Sequence, residues 1–163
     1  FLLFIAFFVY IGASQEASMV QMKNSISGIP VTRAMQTDFR TLNPSDSLTR
    51  VVGLILAGSQ HDFPVVDAAG RVAGVLERDA FMRALTQHGQ SAPVMDFVRR
   101  DLPEVDSYEM LEMALMRLQE VGAKTLPVTH GGQLVGLVTA ENVTEYLMIR
   151  SALKTAGSIP SPV

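Results

Sequence analysis

The sequence contains an internal repeat, and this repeat constrains the fold more than any other feature. Four pairs of identical residues lie at nearly the same offset, which is 63 positions for three pairs and 62 for the fourth. These pairs are Val31 and Val94, Leu48 and Leu111, Pro64 and Pro127, and Gly74 and Gly136. A single unit of this size buries too small a core to be stable alone. We therefore expect the two copies to pack against each other.

The first unit combines two helical patterns with one hairpin pattern. The polar residues at 43–46 predict a turn and an N-cap, followed by an amphipathic helix over residues 48–56. Two short apolar strands within residues 63–76 flank a turn that ends at Gly70. A second amphipathic helix is predicted over residues 79–87.

The second unit repeats this order. Asp106 is predicted to begin a helix, because Glu109 three residues later completes a capping-box pattern. A hairpin follows over residues 125–139, with a glycine pair at its turn, and a closing helix is predicted over residues 141–153. Each unit thus reads β-α-β-β-α, and the chain is expected to have an α+β fold.

This arrangement resembles a tandem pair of cystathionine-β-synthase (CBS) domains, also called a Bateman module. The resemblance is carried by FPVVDAAGRVAGVLERDAFMRAL in the first unit and LPVTHGGQLVGLVTAENVTEYL in the second, and it extends over residues 30–153. It implies two repeats related by pseudo-twofold symmetry, at residues 28–90 and 91–155, and a homodimer formed through the pair. Outside the pair, we expect the end of a transmembrane helix with a juxtamembrane helix at 1–27 and a disordered tail at 156–163.

The resemblance also implies a site for ATP, ADP, AMP or S-adenosylmethionine in the second repeat. The family motif places a hydroxyl residue near phosphate and an acidic residue near ribose, at the start of the last helix. Thr139 and Asn142 stand at these two positions, and asparagine can bond ribose without charge assistance. Val105, Thr125 and Pro127 match the base-facing wall. The alternative is that Thr139 only caps the helix and that Asn142 is an exposed first-turn residue.

The first repeat departs from the same motif. Glu77 stands where the hydroxyl is expected, and Ala80 stands at the ribose position, although Asp79 is adjacent. A carboxylate repels phosphate, so nucleotide binding in the usual way is not expected at this repeat. The ligand site is therefore predicted for the second repeat.

Composition and spacing exclude several other functions. With a net charge of −3 and no basic block, the chain is not expected to bind nucleic acid. It has no cysteine, which excludes thiolate metal sites and cysteine nucleophiles. His61, His88 and His130 have no histidine four positions away and no adjacent glutamate, so no zinc-binding pair on a helix is predicted. The sequence contains no complete set of catalytic residues.

Residues 1–13 form an apolar run that is expected to lie in a membrane. The run is shorter than the ~20 residues that span a bilayer, and no basic residue precedes it as in a signal peptide. The chain begins with Phe1 rather than methionine. We therefore interpret it as a fragment of a longer protein and the run as the end of a transmembrane helix. The alternative is a buried helix of a soluble protein.

An apolar helix that ends IGASQEA and leads into a CBS pair is similar to the C-terminal part of site-2 protease family proteins, which are intramembrane zinc metalloproteases. This resemblance implies that zinc is held only in an earlier protease domain. The predicted function is a regulatory CBS pair on the cytoplasmic side of a membrane, which binds an adenosine-type ligand and modulates the protease. The alternative is a ligand-free dimerisation or interaction module on a protease, transporter or channel.

Overall fold

The computed structural model describes residues 26–157 of the 163-residue chain. The predicted end of a transmembrane helix at residues 1–13 lies outside this part, as does almost all of the predicted juxtamembrane helix. Most of the predicted tail at 156–163 lies outside it too. Among residues 26–157, no helix combines the length and the apolar character needed to cross a bilayer.

Four α-helices and five β-strands make up the two repeats within the described residues. The first repeat contains α1 (Leu48–Ala57), β1 (Phe63–Val66), β2 (Val72–Leu76) and α2 (Arg78–His88). The second contains β3 (Val105–Asp106), α3 (Leu111–Val121), β4 (Thr125–His130), β5 (Gln133–Thr139) and α4 (Ala140–Ala156). A short 3-10 turn precedes each repeat, at Val31–Arg33 and Val94–Asp96. The predicted α+β fold with its repeated order of elements is confirmed.

The sheets of the two repeats share one topology. In the second repeat, β4 pairs antiparallel with β5, and Val105 on β3 pairs in parallel with Val128 on β4. In the first repeat, β1 pairs antiparallel with β2, and the parallel strand is reduced to a single bridge between Leu42 and Val65. These two parallel pairs are again 63 positions apart, so the sequence repeat is also a repeat of sheet topology.

The predicted helix start at Asp106 is wrong. Asp106 belongs to β3, and the helix begins at Leu111. The expected capping-box bond is present, because the Asp106 backbone N–H donates to Glu109 Oε1 at 3.1 Å, but it closes a turn ahead of the helix. The backbone between turn and helix bonds to the N-terminal segment instead: Leu111 N donates to Ile29 O at 2.8 Å, and Val31 N donates to Glu109 O at 2.9 Å.

The backbone at the start of each repeat pairs with the hairpin of the other repeat. We call residues 26–36 and 92–99 the first and second lead-in segments. Gln36 exchanges two backbone hydrogen bonds with Leu137 on β5, at 2.7 and 2.9 Å. Arg99 does the same with Val75 on β2, at 2.9 and 3.0 Å. The two exchanges are equivalent under the pseudo-twofold symmetry that relates the repeats.

Each lead-in segment also completes the hydrophobic core of the other repeat. Val31 is fully buried, with Ile26 and Ile29, in the core formed around α3, β4 and β5. Val94 is fully buried in the core around α1, β1 and β2, where Phe97 packs against it. Burial of one such side chain contributes about 1.5–3 kcal/mol. Neither core is complete within its own repeat, so the two repeats form one folding unit.

Gly74 and Gly136 permit the lead-in segments to cross the hairpins closely. A Cβ atom on Gly74 would lie 2.8 Å from the backbone carbonyl oxygen of Arg99. A Cβ atom on Gly136 would lie 2.6 Å from Met35 Sδ and 3.2 Å from the backbone carbonyl oxygen of Gln36. These contacts give a physical reason for a glycine at the same position of both repeats.

We expect Gly74→Ala to destabilise the protein by about 1–3 kcal/mol, because the Arg99 carbonyl cannot move aside without breaking the pairing of its segment. Gly136→Ala is expected to cost less, since the nearest obstacle there is the flexible Met35 side chain. Gly53→Ala is the control: the space around this helical glycine is open, and alanine favours a helix by about 0.5–1 kcal/mol. Urea unfolding followed by circular dichroism measures all three variants. A Gly74→Ala variant as stable as the parent chain would refute the close crossing.

Candidate functional site

Asp62 and Thr125 meet where the two repeats adjoin. They occupy equivalent positions, 63 residues apart, and Thr125 Oγ1 donates to Asp62 Oδ2 at 2.7 Å. Both are buried, with exposed fractions of 6% and 5%. Asp62 Oδ1 accepts a second hydrogen bond, at 2.9 Å, from the backbone N–H of Arg78 at the start of α2. The Asp62 carboxylate therefore ties the junction between the repeats to a helix of the first repeat.

A cleft of about 590 Å³ opens beside this pair. Gln36 and Leu137 form one side, where the first lead-in segment crosses β5. The start of α4 forms another side and contributes Thr139 and Asn142. Its volume is within the range of ~300–1,000 Å³ that is typical of small-molecule sites. We call it the second-repeat cleft.

The N-terminus of α4 supplies hydrogen-bond donors to the second-repeat cleft. Thr139 caps this 17-residue helix, because its Oγ1 accepts from the Asn142 backbone N–H at 3.0 Å. The first turn of a helix also has backbone N–H groups without intrahelical acceptors, at the positive end of the helix dipole. A single anionic or polar group can be bound there. Capping leaves the Thr139 hydroxyl its own O–H to donate, so the cap does not exclude a ligand contact.

The structure brings together three of the five predicted ligand residues, Thr125, Thr139 and Asn142, which all line the second-repeat cleft. The other two are not among the residues that line it. Val105 is fully buried in the pairing of β3 with β4, and Pro127 is buried within β4. Of the three residues that the family resemblance implied for a base-facing wall, Thr125 is the one that lines this cleft.

Other residues that line the cleft were not predicted from the sequence. They include Gln36, Gln60, His61 and Asp62. The offset of 63 residues between the repeats could have identified Asp62, because Asp62 is at the position equivalent to Thr125. Gln36 belongs to the first lead-in segment, and it reaches the cleft only through the exchange of segments between the repeats.

At the corresponding place in the first repeat, a charged side chain bridges the two repeats. Arg99 stands at the position equivalent to Gln36, and Glu77 at the position equivalent to Thr139. Arg99 Nη1 donates to Glu77 Oε1 at 3.2 Å, and Arg99 Nη2 donates to the backbone carbonyl of Val121 at 2.6 Å. The protein itself thus satisfies polar groups that a ligand would otherwise use.

Two further ion pairs surround this bridge. Arg99 Nε donates to Asp101 Oδ1 at 3.1 Å, and Lys124 Nζ lies 3.1 Å from Asp79 Oδ2. Burial lowers the pKa of Arg99, but the hydrogen bonds to Asp101 and Glu77 outweigh that effect and raise the pKa above its ordinary value. The guanidinium therefore stays charged. Glu77, which departs from the nucleotide motif, has a structural partner that accounts for its presence.

The three histidines lie in three separate environments. His61 lines the second-repeat cleft. His88 packs against the ring of Phe97, with centroids 5.2 Å apart, and His130 Nδ1 lies 2.9 Å from Ser107 Oγ. Within residues 26–157, no three histidine, aspartate or glutamate side chains are grouped so that they could hold a metal ion.

A double-mutant cycle measures the bond between Asp62 and Thr125. Asp62→Ala leaves the Thr125 hydroxyl and the Arg78 N–H without an acceptor, so we expect a loss of about 1–3 kcal/mol in the free energy of unfolding. Thr125→Val removes the donor of the same bond. Because both changes remove one shared interaction, the double variant is expected to lose at least about 0.5 kcal/mol less than the sum of the two. Additive losses in urea unfolding would show that the two side chains do not interact in solution.

The CBS domain family matches this chain twice, at residues 31–87 and 94–149. Among curated proteins, the chain is 25% identical over 154 residues to the predicted zinc metalloprotease Rip3 of Mycobacterium tuberculosis. That alignment covers 90% of this chain and 38% of Rip3. The chain thus spans well under half the length of this relative.

Solved structures share the fold at low sequence identity. The CBS domain of a bacterial CNNM/CorC family Mg²⁺ transporter in complex with ATP superposes with a TM-score of 0.69 at 18% identity, covering 82% of this chain and 97% of that one. CBSX2 in complex with AMP superposes with a TM-score of 0.64 at 24% identity, covering 79% and 99%. At such identities the likeness establishes the fold alone. Together with the two family matches, it shows that this chain belongs to the CBS domain family, as a tandem pair.

Proposed function

We propose that this CBS pair is a regulatory module that binds an adenosine-type ligand in the second-repeat cleft. The ligand would place its ribose near Asn142 and a phosphate or other 5′ substituent near Thr139. The observation that carries the proposal is the convergence of the α4 N-terminus and the Asp62–Thr125 pair on one cleft of about 590 Å³. The complexes of the CNNM/CorC transporter domain with ATP and of CBSX2 with AMP support this ligand class.

We further propose that the parent protein is a membrane-embedded zinc metalloprotease of the site-2 protease family, with the CBS pair on the cytoplasmic side. The apolar run at residues 1–13 and the 25% identity to Rip3 support this assignment. Any zinc would be held by a protease domain outside this chain, and the CBS pair would act as a homodimer that biases the protease. Ligand binding would then change the equilibrium between two arrangements of the pair.

A second function is favoured by specific departures from the nucleotide motif. In the first repeat, the motif position of the hydroxyl residue is Glu77, which is ion-paired with Arg99, and in the second, Asn142 lacks the charge of an aspartate. A pair with no functional ligand would serve only for dimerisation or interaction, on a protease, a transporter or a channel. The fold shared with a transporter domain is compatible with this second function.

Isothermal titration calorimetry of the full chain in detergent distinguishes the two functions. The titrants are ATP, ADP, AMP and S-adenosylmethionine. The proposed function predicts saturable binding of at least one of them, with one ligand per chain. If none binds at millimolar concentration, the ligand-free interaction module becomes the better account.

Variants of Asn142 and Thr139 test the position of the ligand. Asn142→Ala removes one hydrogen bond to ribose, worth about 0.5–1.5 kcal/mol, so binding is expected to weaken several-fold. Asn142→Asp restores a charged acceptor and is expected to tighten binding. Thr139→Ala is expected to weaken binding and also to cost about 1 kcal/mol of stability, because the α4 cap is lost.

Stability and affinity are therefore measured on the same variants. Ala80→Ser changes the position equivalent to Asn142 in the first repeat, and it serves as the matched control with unchanged affinity. If the affinity changes with Ala80→Ser but not with either Asn142 variant, the ligand lies in the first repeat and the proposed position is wrong.

A further inference from the structure

We infer that the second-repeat cleft selects adenosine-type ligands with at most one anionic group and discriminates against polyphosphates. This inference rests on the proposed function and adds the charge class of the ligand. It comes from the ionisable side chains that line the cleft, three of which are acidic: Asp62, Glu141 and Glu145.

The two basic side chains at the cleft do not balance these carboxylates. Lys124 lines the cleft, but its Nζ is 3.1 Å from Asp79 Oδ2 of the first repeat, so its charge is already paired. His61 is the second basic side chain at the cleft, so the acidic lining residues outnumber the basic ones by three to two. No arginine is among the lining residues that the structure describes, and Arg99 is bonded to Glu77 in the other repeat. The guanidinium groups that usually neutralise a polyphosphate are therefore missing from this cleft.

Asp62 is not the main source of the discrimination. Its two carboxylate oxygens accept from Thr125 Oγ1 and from the Arg78 N–H, so its charge is partly satisfied within the protein. Glu141 and Glu145 are both exposed and stand four residues apart, one turn from each other on the same side of α4. Both line the cleft, so a ligand group that extends past the start of α4 would meet their carboxylates.

The N-terminus of α4 can stabilise one anionic group, such as a single phosphate, but not a row of several. The helix dipole favours an anion by about 0.3–1 kcal/mol at an exposed site, and Thr139 adds a hydroxyl donor. A monophosphate at this position is therefore acceptable. The second and third phosphates of ATP would extend toward Glu141 and Glu145, where like charges repel and salt screens the repulsion. S-adenosylmethionine carries its sulfonium cation at the 5′ position and, beyond it, a chain with one ammonium and one carboxylate, so it brings no net negative charge toward Glu141 and Glu145.

Calorimetry of the full chain in detergent tests this inference with four probes: adenosine, AMP, ATP and S-adenosylmethionine. At about 0.05 M salt, we expect AMP to bind within a few-fold of adenosine and ATP to bind at least tenfold more weakly than AMP. S-adenosylmethionine, which has no net negative charge, is expected to bind more tightly than ATP. At about 0.5 M salt, where charges are screened within a few ångströms, the difference between AMP and ATP is expected to shrink.

The double variant Glu141→Gln with Glu145→Gln removes both carboxylates and keeps their size. It is expected to bring the affinity for ATP to within a few-fold of that for AMP, with the affinity for adenosine measured on the same variant as the reference. The matched control replaces two glutamates of α3, Glu112→Gln with Glu120→Gln, which do not line the cleft. This control variant is expected to keep the preference of the parent chain for AMP over ATP.

The possible failures are distinguishable. ATP that binds as tightly as AMP at low salt would overturn charge selection. So would a difference in affinity between AMP and ATP that persists after the Glu141 and Glu145 changes. In both cases the proposed ligand site would still stand. If none of the four probes binds, the proposed function fails and this inference fails with it.

Discussion

Each repeat gives a backbone segment to the sheet and core of the other, and the larger features of the fold depend on this exchange. Gln36 bonds to Leu137, Arg99 bonds to Val75, and the lead-in side chains Val31 and Val94 are fully buried in the opposite cores. Gly74 and Gly136, which have no Cβ atom, allow the two segments to cross the hairpins closely. It also builds the second-repeat cleft, since one side of that cleft is the crossing of the first lead-in segment over β5. A ligand bound there would contact backbone elements of both repeats at once, which is a physical route from binding to a change in the whole pair.

The two repeats share a backbone and differ in the polar side chains placed upon it. In the first repeat, Arg99 and Glu77 bond across the junction, and the guanidinium also bonds to the end of α3 through the Val121 carbonyl. In the second, Gln36 Nε2 donates to the backbone carbonyl of Asp38, two residues further along the chain, and Thr139 caps α4. The same backbone arrangement therefore has an ion-paired bridge in the first repeat and an open cleft in the second. The proposed function places the ligand in the open cleft.

Much of the fold could be predicted because local patterns and tertiary structure agree. The repeat offset, the paired hairpins and the amphipathic helices are visible in spacing and composition, and the structure has them within a few residues. The start of α3 could not be predicted, because the bonds of Leu111 and Val31 to the other repeat decide it rather than the capping box at Asp106.

The same holds for the cleft. Thr139 and Asn142 follow from a local motif, whereas Gln36 and Asp62 reach the cleft from another repeat. Val105 and Pro127 matched the family pattern, but their side chains lie in strand pairing and core.

The proposed function requires the second repeat, and not the first, to bind the ligand. A crystal structure of the full chain grown with AMP shows which repeat does so. We expect ligand density against the start of α4, next to Thr139 and Asn142, with the Arg99–Glu77 ion pair intact. Density beside Glu77, with Arg99 displaced and the second-repeat cleft empty, would contradict it.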